Sequence, residues 1–207
     1  MRAITSAGSR IRFMAVAGIT VAAIALSGCS SSESLAETWN KSGSSGYISG
    51  DGSIESIPVE KRADPVTYSG MATDGEAREY GEYLGDVVVL NFWYAGCPPC
   101  RAEAKALATV ANQYANQGVR FLGVNTRDSL AQAQMFEEEF SMPYPSILDK
   151  DNNAAVQRAF AATVPLNAVP TTLILDREGR VAHRVLGQIT DASVLETMIN
   201  ETLAESN

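Results

Sequence analysis

The 207-residue sequence has one histidine, three cysteines and only 16 lysines plus arginines against 24 acids. Each shortage closes a class of function. One His and three Cys cannot complete a four-ligand zinc site once any of them serves elsewhere. A formal charge of −8 leaves no electrostatic footprint for nucleic acid. The apolar run at residues 13–26 is too short to cross a bilayer core of ~30 Å, which needs about 20 residues. What is present is a 45% apolar composition, enough for a real core and too much for a wholly disordered chain. An odd cysteine count asks which thiol stands apart.

The N-terminus answers. Arg2, Arg10 and Arg12 form a charged start with no acid, and the uncharged run follows. That pattern is an export signal. It ends at Leu26-Ser27-Gly28-Cys29, which resembles the bacterial lipobox, in which the Cys thiol receives a diacylglycerol and cleavage falls just before it. Residues 1–28 are therefore expected to be a lipoprotein signal peptide, with Cys29 as the lipidation site. Two acyl chains anchor stably, at ~0.8 kcal/mol per buried CH₂, and the compartment is extracytoplasmic, where disulfide chemistry is permitted. The expected location is the outer face of the cell membrane, on a lipid anchor.

Residues 29–63 read as a flexible membrane tether, carrying Ser30-Ser31-Ser32, Gly43-Ser44-Ser45-Gly46 and Gly50-Asp51-Gly52-Ser53. About 34 such residues reach roughly 30–35 Å. Residues 64–207 read as one domain. Stretches 66–70 and 78–83 are expected as two short strands around Thr73-Asp74-Gly75. Residues 87–94 form an apolar, β-branched run, the signal of a central strand. Helices are expected at 98–117, 130–140, 153–160 and 193–204, and strands at 119–124, 171–175 and 180–186. Glu137, Glu138 and Glu139 read as a solvated helix face. The order describes an α/β fold with a mixed central sheet flanked by helices.

The chemistry sits at Cys97-Pro98-Pro99-Cys100, between the central strand and a helix start. Spacing i, i+3 on one helical turn brings two cysteines near disulfide distance. The positive end of the helix dipole and its unpaired N–H groups favour a thiolate. Cys97 is read as the exposed, N-cap-like nucleophile and Cys100 as the resolving thiol. Pro98 and Pro99 occupy the first turn, where a missing N–H costs least. Zinc would want a second cysteine pair, and a structural disulfide would close a loop too short to constrain the unfolded chain much. Trp93 is read as a packing residue flanking the site, and His183, inside a strand with no partner motif, as structural.

The segment Asn91-Phe92-Trp93-Tyr94-Ala95-Gly96-Cys97-Pro98-Pro99-Cys100-Arg101-Ala102-Glu103 resembles the active-site segment of the TlpA/ResA-like thioredoxin-fold lipoproteins. The resemblance runs from about Asp64 to Glu205. It includes Phe121-Leu122-Gly123-Val124-Asn125, Val169-Pro170-Thr171-Thr172 and Asp176-Arg177-Glu178-Gly179-Arg180. It implies a thioredoxin-like fold with an N-terminal β-hairpin extension. The implied activity is that of a membrane-anchored, extracytoplasmic thiol–disulfide oxidoreductase with a redox-active disulfide, Cys97–Cys100, and no other cofactor or metal.

By the same resemblance, Pro170 matches the family's cis-proline, and Val169 offers its backbone to a client strand. Trp93, Pro98, Pro99, Val169 and Pro170 are then the expected substrate-contacting residues. Glu103 matches an acid that ResA-like members carry three positions after the second cysteine, where a buried carboxylate raises thiol pKa values and relays the resolving proton. Its other reading is a first-turn Glu complementing the helix dipole. Two departures from general thioredoxins stand out. Asn91 replaces a buried Asp, and Gly96 replaces a Trp before the first Cys. Thr163-Val164-Pro165-Leu166-Asn167 also departs from the expected pattern before the cis-proline.

The implied partners are exported clients such as apocytochrome c cysteines, in cytochrome c biogenesis, and a membrane thiol reductase as electron donor. An oxidant that installs disulfides is the alternative direction, because potential depends on thiolate stabilisation. A copper-binding chaperone on the same fold is a more distant rival, with only His183 to add an imidazole ligand.

Overall fold

The structure is a computed structural model that describes residues 48–49, 53–165 and 168–205. Its frame is a seven-stranded mixed sheet in the order β1-β2-β9-β8-β5-β6-β7. The strands are β1 (Ile48–Ser49), β2 (Ser53–Ser56), β5 (Val87–Trp93), β6 (Val119–Asn125), β7 (Ser146–Leu148), β8 (Thr171–Leu175) and β9 (Val181–Leu186). β5 runs parallel to β6, and β6 to β7; β5–β8, β8–β9, β9–β2 and β2–β1 are antiparallel. A separate hairpin, β3 (Ser69–Met71) with β4 (Ala77–Glu79), touches the sheet through a bridge from Ala72 to Ile147.

Every residue of β5 is buried, as expected of a strand with neighbours on both edges and layers on both faces. Side-chain alternation divides it. Val88, Leu90 and Phe92 enter a core with Leu173, Leu175 and Phe160. Val87 and Val89 enter the other, with Leu107 and Val110 of α1 (Pro98–Gln113) and Leu195, Met198 and Ile199 of α4 (Ala192–Ala204). The same parity turns Asn91 and Trp93 toward the α1 side. α2 (Leu130–Glu139) starts on a capping box of Ser129 and Gln132, and α3 (Ala155–Ala159) supplies Val156 to the first core.

Several expected boundaries move. Residues 80–83 form a 3-10 turn rather than the end of a strand. α1 ends at Gln113 rather than at 117, because Asn116 adopts a left-handed φ of 66° that a helix cannot contain. Leu130, at the start of α2, is exposed.

The largest shift concerns the tether. Within the stretch 29–63, β2 pairs with β9 and a 3-10 turn covers Val59–Lys61. Arg62, its side chain 2% exposed, pairs with Asp176 at 2.9 Å and with Glu205 at 2.5 and 2.7 Å. The folded body therefore reaches back at least to Ser53. The expected signal peptide at 1–28, Cys29, the expected tether up to residue 47, residues 50–52 and Leu166-Asn167 lie outside the described residues. Among the described residues no helix is long and apolar enough to cross a membrane.

Candidate active site

Cys97 caps the N-terminus of α1. Its Sγ accepts the Cys100 backbone N–H at 3.2 Å, and the two sulfurs are joined as a disulfide with the Cα atoms 5.2 Å apart. Pro98 and Pro99 take the first two helical positions, where no intrahelical partner is lost. Pro98 is exposed and Pro99 half-buried. The expectation of an exposed Cys97 is corrected: Cys97 and Cys100 are each 2% exposed. They sit in a small apolar cluster with Trp93, Ala104, Ala133, Phe136 and Leu148, covered further by Tyr94, Ala95 and Val169.

The loop carrying Cys97 is held from below. Asp128 accepts the Ala95 N–H at 2.6 Å and the Asn125 amide at 2.8 Å, and Asn125 in turn accepts the Asp128 N–H. Arg127 lies over the Tyr94 ring and Arg101 over Phe140. Sequence reasoning missed Asp128, since an acid just ahead of a helix reads as an ordinary first-turn charge.

Glu103 is 1% exposed, under the sheet-facing side of α1. Oε1 accepts from Asn91 Nδ2 at 3.0 Å, and Oε2 accepts from the Ile189 N–H at 2.8 Å. Asn91 also donates to Thr172 Oγ1 at 3.0 Å. Burial pushes the Glu103 pKa up to about 7, against the pull of those two hydrogen bonds. Its burial sets Glu103 apart from a solvated first-turn charge.

Trp93, expected among the client contacts, is 4% exposed, lies against Phe136 with ring centroids 4.1 Å apart, and donates Nε1–H to Ser146 Oγ at 3.0 Å. It is a packing residue and adds no open surface. Glu137 departs from the solvated face assigned to it. It is half-buried and accepts from Thr73 Oγ1 at 3.1 Å, and burial raises its pKa against hydrogen bonds from Ser146 and Thr73. Thr73, in the turn between β3 and β4, is far in sequence from Glu137 and from Ser146 at the start of β7, so sequence pattern alone carries no sign of this.

The Val169–Pro170 peptide is cis, as the resemblance implied, with Pro170 buried and Val169 half-buried against the cysteine cluster. The Pro170 carbonyl accepts the Gly187 N–H at 2.9 Å. His183 is buried on β9, with Nδ1 2.9 Å from Ser56 Oγ, and burial lowers its pKa to about 4. No cluster of three His, Cys, Asp or Glu among the described residues is placed to hold a metal ion.

Residues 58–199 match the Redoxin family. The chain belongs to it. This Redoxin is 30% identical over 125 residues to the thiol-disulfide oxidoreductase ResA of Halalkalibacterium halodurans, covering 60% of this chain and 68% of that one. It is 32% identical over 152 residues to the thiol:disulfide interchange protein DsbE of Allochromatium vinosum, covering 73% and 78%. A solved DsbF homologue from Corynebacterium diphtheriae superposes with a TM-score of 0.64 at 31% identity, over 72% of this chain and 92% of that one. The fold is thioredoxin-like, with a TlpA/ResA-like pattern. The protein is a thiol–disulfide oxidoreductase whose Cys97–Cys100 pair fits the CxxC redox motif.

Proposed function

We propose that this Redoxin works as a membrane-anchored, extracytoplasmic reductant of client disulfides. Cys97 thiolate attacks one sulfur of the client disulfide, forms Cys97–S–S–client and releases the other client sulfur as a thiolate. Cys100 loses its proton to Glu103 and attacks Cys97 Sγ. That step breaks the mixed disulfide, releases reduced client and leaves Cys97–Cys100 oxidised. A membrane thiol reductase returns two electrons. Val169 and Pro170, with Pro98 and Pro99, line the client path, and the Val169 backbone pairs with the client strand. Cys29 carries the lipid, and residues up to about 47 span the gap to the membrane. Clients are exported proteins with paired cysteines, such as cytochrome c precursors.

The observation that carries the direction is the buried Glu103 in the turn that follows Cys100. A carboxylate there disfavours a neighbouring thiolate. Losing thiolate stabilisation destabilises the reduced form and makes the pair more reducing, the reverse of strong oxidants, which owe their potential to a stabilised reduced state. The test is insulin-type or peptide disulfide reduction under a fixed thiol donor. Wild type turns over, Cys97→Ser does not, and turnover by Cys97→Ser at the wild-type rate overturns the mechanism.

A further inference from the structure

The resolving step leaves a proton in a buried place, and the far side of Cys100 bears on where it goes. Cys100 lines a cavity of about 10 Å³, room for about one water. Its inner wall carries Cys100 and Asn91, the residue that holds Glu103; its outer wall carries Tyr144, Glu137, Ser146 and Met142. Beyond that outer wall, on the surface, is an open groove of about 330 Å³ lined by Thr73, Asp74, Gln134 and Pro143. Glu137, Tyr144 and Met142 line both spaces, so they are the partition between the cysteine and solvent.

Two features mark this partition as polar by construction. Tyr144 is 8% exposed and its hydroxyl is buried with no hydrogen-bond partner, an arrangement that costs free energy unless a water in the cavity satisfies it. Glu137 is fixed by Thr73 Oγ1 at 3.1 Å and by the Ser146 hydroxyl, which itself accepts from Trp93 of the cysteine cluster at 3.0 Å. The charges of Glu103 and Glu137 both act on the Tyr144 phenol, which places it within electrostatic reach of both acids.

We propose that Tyr144 and Glu137 form the proton outlet of the resolving cysteine, connecting Cys100 and Glu103 through the cavity to the groove at Thr73 and Pro143. The inference rests on the thiol–disulfide reading above and extends it. The Cys100 thiol gives its proton to the Glu103 carboxylate, and the thiolate attacks Cys97 Sγ as the client thiolate leaves. The proton then reaches a cavity water held by the Tyr144 hydroxyl, and that water delivers it to the Glu137 carboxylate. Glu137 releases it into the groove, where solvent returns one proton to the client thiolate. The groups facing the relay are Cys100 and Glu103 on α1, Glu137 on α2, Tyr144 ahead of β7, and Asp74 at the groove mouth.

The test uses the reduced full chain mixed with excess 5,5′-dithiobis(2-nitrobenzoate) in a stopped-flow instrument. Cys97 attack releases the first coloured thiolate and Cys100 resolution releases the second, so the two steps are read separately. Tyr144→Phe and Glu137→Gln should slow the second phase about tenfold or more, with the first phase unchanged and the solvent deuterium isotope effect on the second phase increased. Added formate should restore the second phase in Glu137→Ala. A wild-type second phase in either folded variant, or equal slowing of both phases, overturns the outlet. If Tyr144→Phe fails to fold, Glu137→Gln decides alone. Slowing by these variants but not by Glu103→Gln leaves the outlet standing and removes Glu103 as first acceptor. Absence of any second release from wild type defeats the underlying oxidoreductase reading instead.

Discussion

Asn91 donates its amide to Glu103 Oε1 at 3.0 Å, which ties the central strand to the helix that carries both cysteines. The amide cannot serve as a base, so the one titrating group of this buried pair is the glutamate. Its environment joins the redox chemistry to stability. Folding raises the Glu103 pKa from 4.5 to about 7. The folded chain therefore holds more protons than the unfolded one between those values. The stability this group contributes is full below about pH 4.5 and is lost as pH rises through about 7, a fall of about 3 kcal/mol. Glu103→Gln should flatten that slope, since Asn91 can turn to offer its oxygen. Urea unfolding at about pH 5 and about pH 8 measures it, and an unchanged slope contradicts the assignment.

The same substitution acts on the thiols. With the carboxylate gone, the cysteine pKa values of the reduced protein should fall, and the resolving step should lose its rise with pH through about 7. Titration of thiolate absorbance in wild type and Glu103→Gln reads the first effect. Identical titration curves would show that Glu103 does not act on the cysteines.

The two cysteines should separate cleanly by substitution. Cys97→Ser should abolish turnover, while Cys100→Ser should accumulate Cys97–S–S–client, visible by mass spectrometry of the unreduced protein. Accumulation on Cys100 in the Cys97→Ser protein, at the rate seen in its counterpart, would reverse the assigned roles. Because Cys97 is covered in the oxidised form, the reduced protein should also label faster with a bulky maleimide after Val169→Ala than before it.

Much of this site was legible before any coordinates. Cys97 and Cys100 follow a seven-residue apolar run whose composition leaves it little choice but a central strand, and the residues around them carry the family pattern. What stayed hidden depends on contacts between distant segments. Ser53–Ser56 is too short and polar to announce a strand, and it exists because β9 has a free edge to pair. Glu137 looks like its neighbours Glu138 and Glu139 until Thr73 and Ser146 meet it. Tyr144 lies among prolines and reads as loop. Cys97 loses its exposure to Tyr94, Ala95 and Val169, of which only the first two are local.

The strand and buried arginine ahead of residue 64 give a truncation test. A chain beginning at residue 64 loses β2 and Arg62; Asp176 keeps Arg180 at 2.8 Å but loses its most buried ion-pair partner, and the chain should melt below one beginning at residue 48. Arg62→Ala should account for a large part of that drop. Equal melting of the two truncations would return residues 53–62 to the tether.

Asp128 offers a separate handle on the cysteine loop. Asp128→Ala frees the Ala95 N–H and the Asn125 amide, both held below 3 Å, and should cost about 1–3 kcal/mol. Hydrogen exchange at Ala95 should speed up in the variant, and unaltered exchange there would place the loop's support elsewhere.

The central claim is that the buried acid beside Cys100 makes this pair a reductant. The most direct measurement is the reduction potential of Cys97–Cys100, titrated against defined thiol–disulfide buffers near pH 7 with Glu103→Gln alongside. The account predicts a value near the thioredoxin range, about −270 mV, with the Glu103→Gln potential less negative. A wild-type value near the DsbA range, about −120 mV, would contradict it and make the protein an oxidant of its clients.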